Sequence, residues 1–233
     1  MLNGKIAIVT GGTRGIGLAV VRTFLHNGAK VALFGSREAT VQRALTQLRE
    51  EQREARTRLN MLENMKRDYE GFNNTVKSLL KDARRDERLG GCVEAVVAEI
   101  VKVPQSYLLA VETALGAASQ HVITRDEQAA KQLIGHLRAR QYGRATFLPL
   151  TAIQGRSLSA AERSRLPHEG LCGVASELVE CEAKYRNVVD NLLGRTLIAR
   201  DLDAAIALSK ACRSSLRVVT LQGDVMNPGG SMT

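Results

Sequence analysis

The chain has 233 residues, 44% of them hydrophobic, with only 3% aromatic and no Trp, so it can fill one large domain or two small ones around an aliphatic core. No apolar run approaches the about 20 residues of a membrane span, and the short apolar N-terminal stretch, which runs straight into glycines, is not a signal peptide. The net charge is +9, of which +5 falls within residues 1–48, +2 within 49–88 and +2 within 89–233; a basic excess of this size suits a polyanion partner or a basic surface with no specific one.

In chain order, KIAIVT reads as a short buried strand and the segment from Gly15 to His26 as a helix. In that helix Ile16, Ala19, Val20, Thr23 and Phe24 recur at helical spacing. Asn27–Gly28 ends it, and KVALFG is a second strand, which makes one βαβ unit with a right-handed crossover. From Arg37 to Leu80 there is no proline and only Gly71 among glycines. There Leu48, Gln52, Ala55, Leu59 and Leu62 follow a 4-3-4-3 step, continued after a one-residue slip by Met65, Tyr69, Phe72, Val76 and Leu79. The pattern predicts a coiled-coil seam that needs a partner, or else a solvated amphipathic helix. ATVQRALTQL runs into REEQREARTRL near residues 46–52 with no linker, so one continuous helix is expected across the join.

Beyond Leu89 the pattern alternates. CVEAVVAEIVKV reads as a strand, SYLLAVETALGAAS as a helix, HVITR as a strand and DEQAAKQLIGHLRARQ as an Asp-capped helix. RATFLPL is a strand ended by proline; NVVDNLLG is helical, TLIAR a strand, DLDAAIALSKACR a helix and LRVVTLQGD a strand. No internal repeat is evident. The fold class is therefore mixed α/β: a single Rossmann-like βαβ fragment over 1–46, a long coiled-coil-type helix over 47–88, and a mixed α/β domain over 89–233. Cys92, Cys172, Cys181 and Cys212 form no CxxC pair and the four histidines have no ligand spacing, so reduced thiols and no metal site are expected.

The turn TGGTRGIG, Thr10 to Gly17, carries the clearest chemistry. Its glycines let backbone approach a pyrophosphate, and the helix behind it offers free N–H groups and a partial positive charge. It is not a Walker A loop, because Leu18–Ala19 stand where Lys-Ser/Thr would follow. The stretch GKIAIVTGGTRGIGLAVVRTFLHNGAKVALFGSR resembles the N-terminus of the short-chain dehydrogenase/reductase family, over about residues 1–46. That resemblance implies an NADP-binding loop formed by Gly11, Thr13, Arg14, Gly15, Ile16 and Gly17 with Ser36 and Arg37, the cations suiting a 2′-phosphate. The same family's Tyr-x-x-x-Lys is missing: four positions after Tyr69, Tyr107, Tyr142 and Tyr185 stand Asn73, Val111, Thr146 and Val189. Hydride transfer needs that acid and that lysine, so an NADP-dependent reductase, the alternative function, is expected to be inactive. No cofactor is required.

Segments YLLAVETALGAASQHVI, GRATFLPL, GVASELVECEAKYRNVVDNLLGRTLIARDLDAA and RVVTLQGDVMNPGGSMT resemble the hinge of bacterial structural-maintenance-of-chromosomes (SMC) proteins, and MKRDYEGFNNTVKSLL resembles the end of the arm that enters it. The resemblance covers about residues 50–233. It implies a dimerisation module of a chromosome condensation and segregation protein, cytoplasmic and nucleoid-associated. The module would homodimerise, would offer basic surfaces to DNA, and would have no catalysis of its own; the family's ATPase heads and kleisin partner are not expected from this chain. Gly223, Asn227, Pro228, Gly229 and Gly230 form a strongly bent segment where two backbones could meet, or a plain surface turn. Arg138, Arg140 and Arg144 could meet DNA phosphates, or balance a helix dipole.

Overall fold

A computed structural model describes residues 2–67 and 69–233, apart from the side chains of Lys66 and Arg67. Of the predicted arm segment, those two side chains and Asp68 lie outside the described residues. The chain divides into two compact units, residues 1–70 and 71–233.

The first unit opens with β1 (Ile6–Thr10), α1 (Gly15–His26) and β2 (Lys30–Phe34). The strands pair in parallel from Ile6 against Lys30 to Thr10 against Phe34. Helix α1 ends at Asn27, and Gly28 takes φ +86°. The stripe it buries is not the predicted one. Leu18 and Val21 are buried, whereas Ile16 is 86% exposed, because Gly17 is the residue turned against the glycine loop and this rotates the covered face. One face of the two-stranded sheet stays uncovered, with Ile6, Ile8 and Phe34 exposed.

Helix α2 (Glu38–Arg67) runs unbroken through residues 46–52. It buries Ala44 and half-buries Val41, Leu45 and Leu48. Arg22 on α1 pairs with Glu51 on α2. Past Leu48 every described side chain of α2 is exposed, Leu59, Met61 and Leu62 among them. The seam does not continue through Tyr69 and Phe72 as predicted. Tyr69 at φ +53° and Gly71 at φ +94° turn the chain, and Val76 and Leu79 fall on a separate helix.

That helix, α3 (Asn74–Arg85), opens the second unit and is followed by the short α4 (Glu87–Gly90). Next comes a three-stranded sheet: β3 (Val93–Val96), α5 (Val97–Ile100), α6 (Leu108–Leu115), β4 (Val122–Thr124), α7 (Glu127–Arg140) and β5 (Phe147–Pro149). The connection that follows carries α8 (Ala160–Arg163). A four-stranded sheet completes the unit: β6 (Leu171–Val174), α9 (Arg186–Leu193), β7 (Thr196–Ala199), α10 (Leu202–Ala211), β8 (Arg217–Thr220) and β9 (Val225–Met226). The predicted strand CVEAVVAEIVKV is cut short. Glu99 turns back to accept from the Val96 backbone N–H at 3.2 Å, and VAEI winds into a helical turn.

The expectation of no internal repeat is corrected. Each sheet begins with an antiparallel pair containing a bulge, β3–β4 or β6–β7, and continues with a parallel pair, β4–β5 or β7–β8. Tyr107 and Tyr185 precede equivalent helices. Asp126 caps α7 by accepting from Ala129 N–H at 2.8 Å; Asp201 caps α10 by accepting from Ala204 N–H at 2.9 Å. Arg125 and Arg200 donate to those same caps. The copies join where Lys102 and Glu180 exchange backbone hydrogen bonds of 2.8 and 2.9 Å. Corresponding positions pair antiparallel there, which relates the copies by a local twofold. The repeat is hidden in sequence because it lives in caps, bulges and pairing sense while the side chains differ.

Two apolar clusters result. One is shared by the copies and includes Val97, Val111, Ile123, Val188, Ile198 and Val219. The other lies under α10 and includes Leu197, Leu208, Leu216 and Val218. Arg217 of β8 donates to the Ala114 carbonyl at the end of α6 at 2.9 Å, a cation where a helix end carries partial negative charge. Glu162 accepts from Arg195 at 2.8 Å; that guanidinium, helped by the Ser159 backbone N–H and hydroxyl, holds its carboxyl down at about 2. No helix among the described residues is long and apolar enough to cross a membrane.

Candidate functional site

Three places gather the predicted residues. The first is the glycine turn between β1 and α1. Gly11 (φ +68°) and Gly15 (φ +53°) adopt left-handed conformations, which glycine reaches without the Cβ penalty. A Cβ on Gly17 would lie 2.2 Å from the Gly11 carbonyl oxygen, and one on Gly35 would lie 2.6 Å from the Thr13 methyl. So the loop folds closely over the helix start, with Thr13 seated at the end of β2. Arg14 is the N-cap, extended, with no side-chain cap and no acid in the first turn of α1. Arg14, Ile16, Ser36 and Arg37 are exposed. This cradle fits the pyrophosphate of a dinucleotide. Among the described residues, β1 and β2 form a two-stranded sheet of their own.

The second place is the C-terminal hairpin. Val225 and Thr233 exchange backbone hydrogen bonds of 2.9 Å, and Asn227 N–H donates to Ser231 at 2.9 Å. The tip is Pro228, Gly229 and Gly230, all exposed, with Gly229 at φ +90° and Gly230 at φ +95°. Nothing lies within 4 Å of a Cβ built on either. Gly229 N–H donates to Ser214 at 2.9 Å, and Met232 is exposed. Gly223 is not part of this tip. It sits in the turn before β9, φ +92°, where its Cβ would meet Leu109 at 3.5 Å and Thr113 at 3.4 Å of α6. The predicted interface group therefore divides between the two ends of β9.

The third place is the C-terminal end of α7. Arg138 and Arg140 stand in its last turn, Gln141 closes it at φ +55°, and Arg144 follows before β5; all three arginines are exposed. Helix α3 packs beside α7 and adds Lys77, Lys81, Arg84 and Arg85. The sequence reading missed these α3 cations as part of the cluster, since nothing in the spacing places α3 against α7. Between the helices, Asp82 takes a hydrogen bond from Tyr142 at 3.1 Å and lies 2.8 Å from His136 Nε2. The His136 contact, then that of Tyr142 and the charge of Arg140, holds the Asp82 carboxyl below its ordinary value.

The four cysteines are free thiols; partial burial pushes Cys172 and Cys212 up. Among the described residues no group of three or more His, Cys, Asp or Glu is placed to hold a metal.

The family described as SMC proteins flexible hinge domain matches residues 89–209, and the family described as short chain dehydrogenase matches residues 5–85. The chain is 46% identical over 191 residues to the chromosome partition protein Smc of Bacillus subtilis, covering 82% of this chain and 16% of that protein. It is 36% identical over 192 residues to Smc of Desulfitobacterium hafniense, again 82% of this chain and 16% of the relative. The chain thus spans 16% of the length of these curated relatives. Among solved structures, an asymmetric dimer of the Geobacillus stearothermophilus SMC hinge domain matches with TM-score 0.74 and 40% identity, covering 93% of this chain and 82% of that one. The Pyrococcus furiosus SMC hinge domain matches with TM-score 0.52 and 27% identity, over 69% and 86%. With the hinge family spanning more than half of the sequence and the two-copy α/β unit beneath it, the chain belongs to the SMC hinge domain family.

Proposed function

We propose that the chain is a hinge dimerisation module of a bacterial SMC chromosome condensation and segregation protein, paired with a second copy of itself, working in the cytoplasm at the nucleoid and without catalysis of its own. The observation that carries this reading is the two-copy α/β unit of residues 71–233, in a chain that matches, over 93% of its length and at TM-score 0.74, a hinge that crystallised as a dimer. The ATPase heads and kleisin of such an assembly would be supplied outside the matched segment. The exposed hairpin tip of Pro228, Gly229 and Gly230, with the half-buried Asn227 and the neighbouring Gly223 turn, is the surface proposed to meet the second copy. Light scattering over a concentration series tests it: a mass of about twice 25.3 kDa is expected, and a mass that stays at 25.3 kDa throughout rejects the module as a self-pairing hinge.

DNA is the second partner proposed, held by Arg138, Arg140 and Arg144 beside the cations of α3. Phosphate contacts release counterions, so affinity should fall steeply with salt. Changing all three arginines to alanine is expected to flatten the salt slope by about 2–3 units in a log–log plot. An unchanged slope in fluorescence anisotropy places the DNA surface elsewhere.

A second reading concerns the N-terminal cradle alone. The dehydrogenase-type match to residues 5–85 and the tight Gly11–Gly17 turn favour an appendage that binds NADP without consuming it. Arg14, Ser36 and Arg37 would hold the 2′-phosphate, and Gly11, Thr13, Gly15, Ile16 and Gly17 the pyrophosphate. When bound, the cofactor supplies hydride chemistry, for which this chain offers no Tyr-x-x-x-Lys.

A further inference from the structure

Helix α3 is fastened at both ends by polar contacts, not by the main cores. At its start, Asn73 caps it by accepting from Val76 N–H at 2.9 Å. The same residue's backbone N–H donates to the Gln120 side-chain oxygen at 2.7 Å, and the Gln120 amide donates to the Gly71 carbonyl at 3.4 Å. Within the first turn, Thr75 donates to the Tyr142 carbonyl. At its far end Asp82 is held by His136 and Tyr142. Between these points Val76, Leu79, Leu80 and Ala83 are buried. None of the four belongs to either apolar cluster of the unit; they lie on the face toward α4 and α7.

Both helices are rich in cations. Helix α3 carries Lys77, Lys81, Arg84 and Arg85 with Asp82 as its sole acid, and α7 brings Lys131, Arg138 and Arg140 against Glu127. Asp82 is the acid that meets α7 from within the contact, through His136 and Tyr142. We propose that α3 is a detachable strap: with its entry turn it releases from α7 as one unit while the two-sheet core stays folded, and Asp82 sets the balance. Release separates Asp82 from His136 and Tyr142 and frees the side of α7 that α3 packs against. The inference does not depend on dimerisation or on DNA.

Hydrogen exchange by mass spectrometry on the full chain tests it, since segments of low local stability open on their own. Asp82→Asn is expected to speed exchange of the 74–85 amides about tenfold and to leave β7 and α10 at their wild-type rates. Trypsin should then nick first at Lys77 or Lys81. Faster exchange throughout residues 71–233, or no change in 74–85, overturns the proposal. If Asp82→Asn does not fold, Tyr142→Phe removes a single contact to the carboxylate; acceleration confined to 74–85 supports the strap, and acceleration that is absent or spread over the unit rejects it.

Discussion

Ile198→Ala is expected to cost the hinge unit about 3–4 kcal/mol, with Leu197→Ala close behind at about 3 kcal/mol. Both residues are fully buried on β7, the strand between β6 and β8. They point to opposite faces, as neighbours on a strand must. Ile198 enters the cluster shared with Val97, Val111 and Ile123 of the first copy, and Leu197 enters the layer with Leu208 and Val218 under α10. For a unit of this size about 3 kcal/mol lowers the melting temperature by about 6–12 °C. The two changes should differ in reach. Ile198→Ala loosens β4 as well as β7, whereas Leu197→Ala spares β4. Calorimetry with hydrogen exchange separates them. A loss below about 1 kcal/mol for Ile198→Ala, or a normal β4 in that variant, would mean that the copies do not share a core.

Where the sequence states both period and cap, it is legible. Helices α7 and α10 follow Asp126 and Asp201, and each aspartate accepts from a backbone N–H three residues on. TLIA reads as a buried strand because all four residues are apolar or tolerate burial, and all four are buried. The βαβ unit was legible because two apolar runs flank a helix signalled by glycines at both ends. Tertiary choices were not. A helical stripe of Ile16, Ala19, Val20, Thr23 and Phe24 looked sufficient, but the close approach of Gly17 to Gly11 decides which side faces the strands. Heptad spacing runs straight across Tyr69 and Phe72, yet two positive φ angles break the helix there. Spacing cannot register a backbone reversal.

The candidate sites divide along the same line. Local chemistry, such as a glycine turn or three arginines at a helix end, is visible residue by residue. Grouping is not: Gly223 and Gly229 are close in sequence, but β9 holds them at opposite ends, and α3 joins the basic cluster because it packs beside α7, where Asp82 meets His136. The unused apolar surface follows similar logic. Ile6, Ile8 and Phe34 lie on a sheet of two strands, too few to bury a face; Leu59 and Leu62 lie on a helix that leaves them exposed.

Gly17→Ala gives the second large effect, and its sign is informative. In the interior of an exposed helix, glycine to alanine gains up to about 1 kcal/mol. Gly17 lies in the first turn of α1 with no positive φ, so propensity alone predicts stabilisation. Its Cβ, however, would sit 2.2 Å from the Gly11 oxygen, 2.8 Å from the Gly11 carbonyl carbon and 3.2 Å from the Gly12 Cα. All three are backbone atoms and none can rotate away. Relief requires α1 to lift from the turn, which also uncovers Leu18 and Val21. The net expectation is a loss of about 2–3 kcal/mol, enough to open a unit with few buried side chains. Trypsin should then cut at Arg14 and Arg22, while the mass in solution and the melting of residues 71–233 stay as in the wild type. The same variant tests the dinucleotide reading through NADPH fluorescence. Wild-type binding that Gly17→Ala abolishes, with no NADPH consumed by either, supports a cradle that holds cofactor without using it. Absence of wild-type binding at millimolar NADPH rejects that reading and leaves the glycines with a structural task alone: they let α1 start flush against β1.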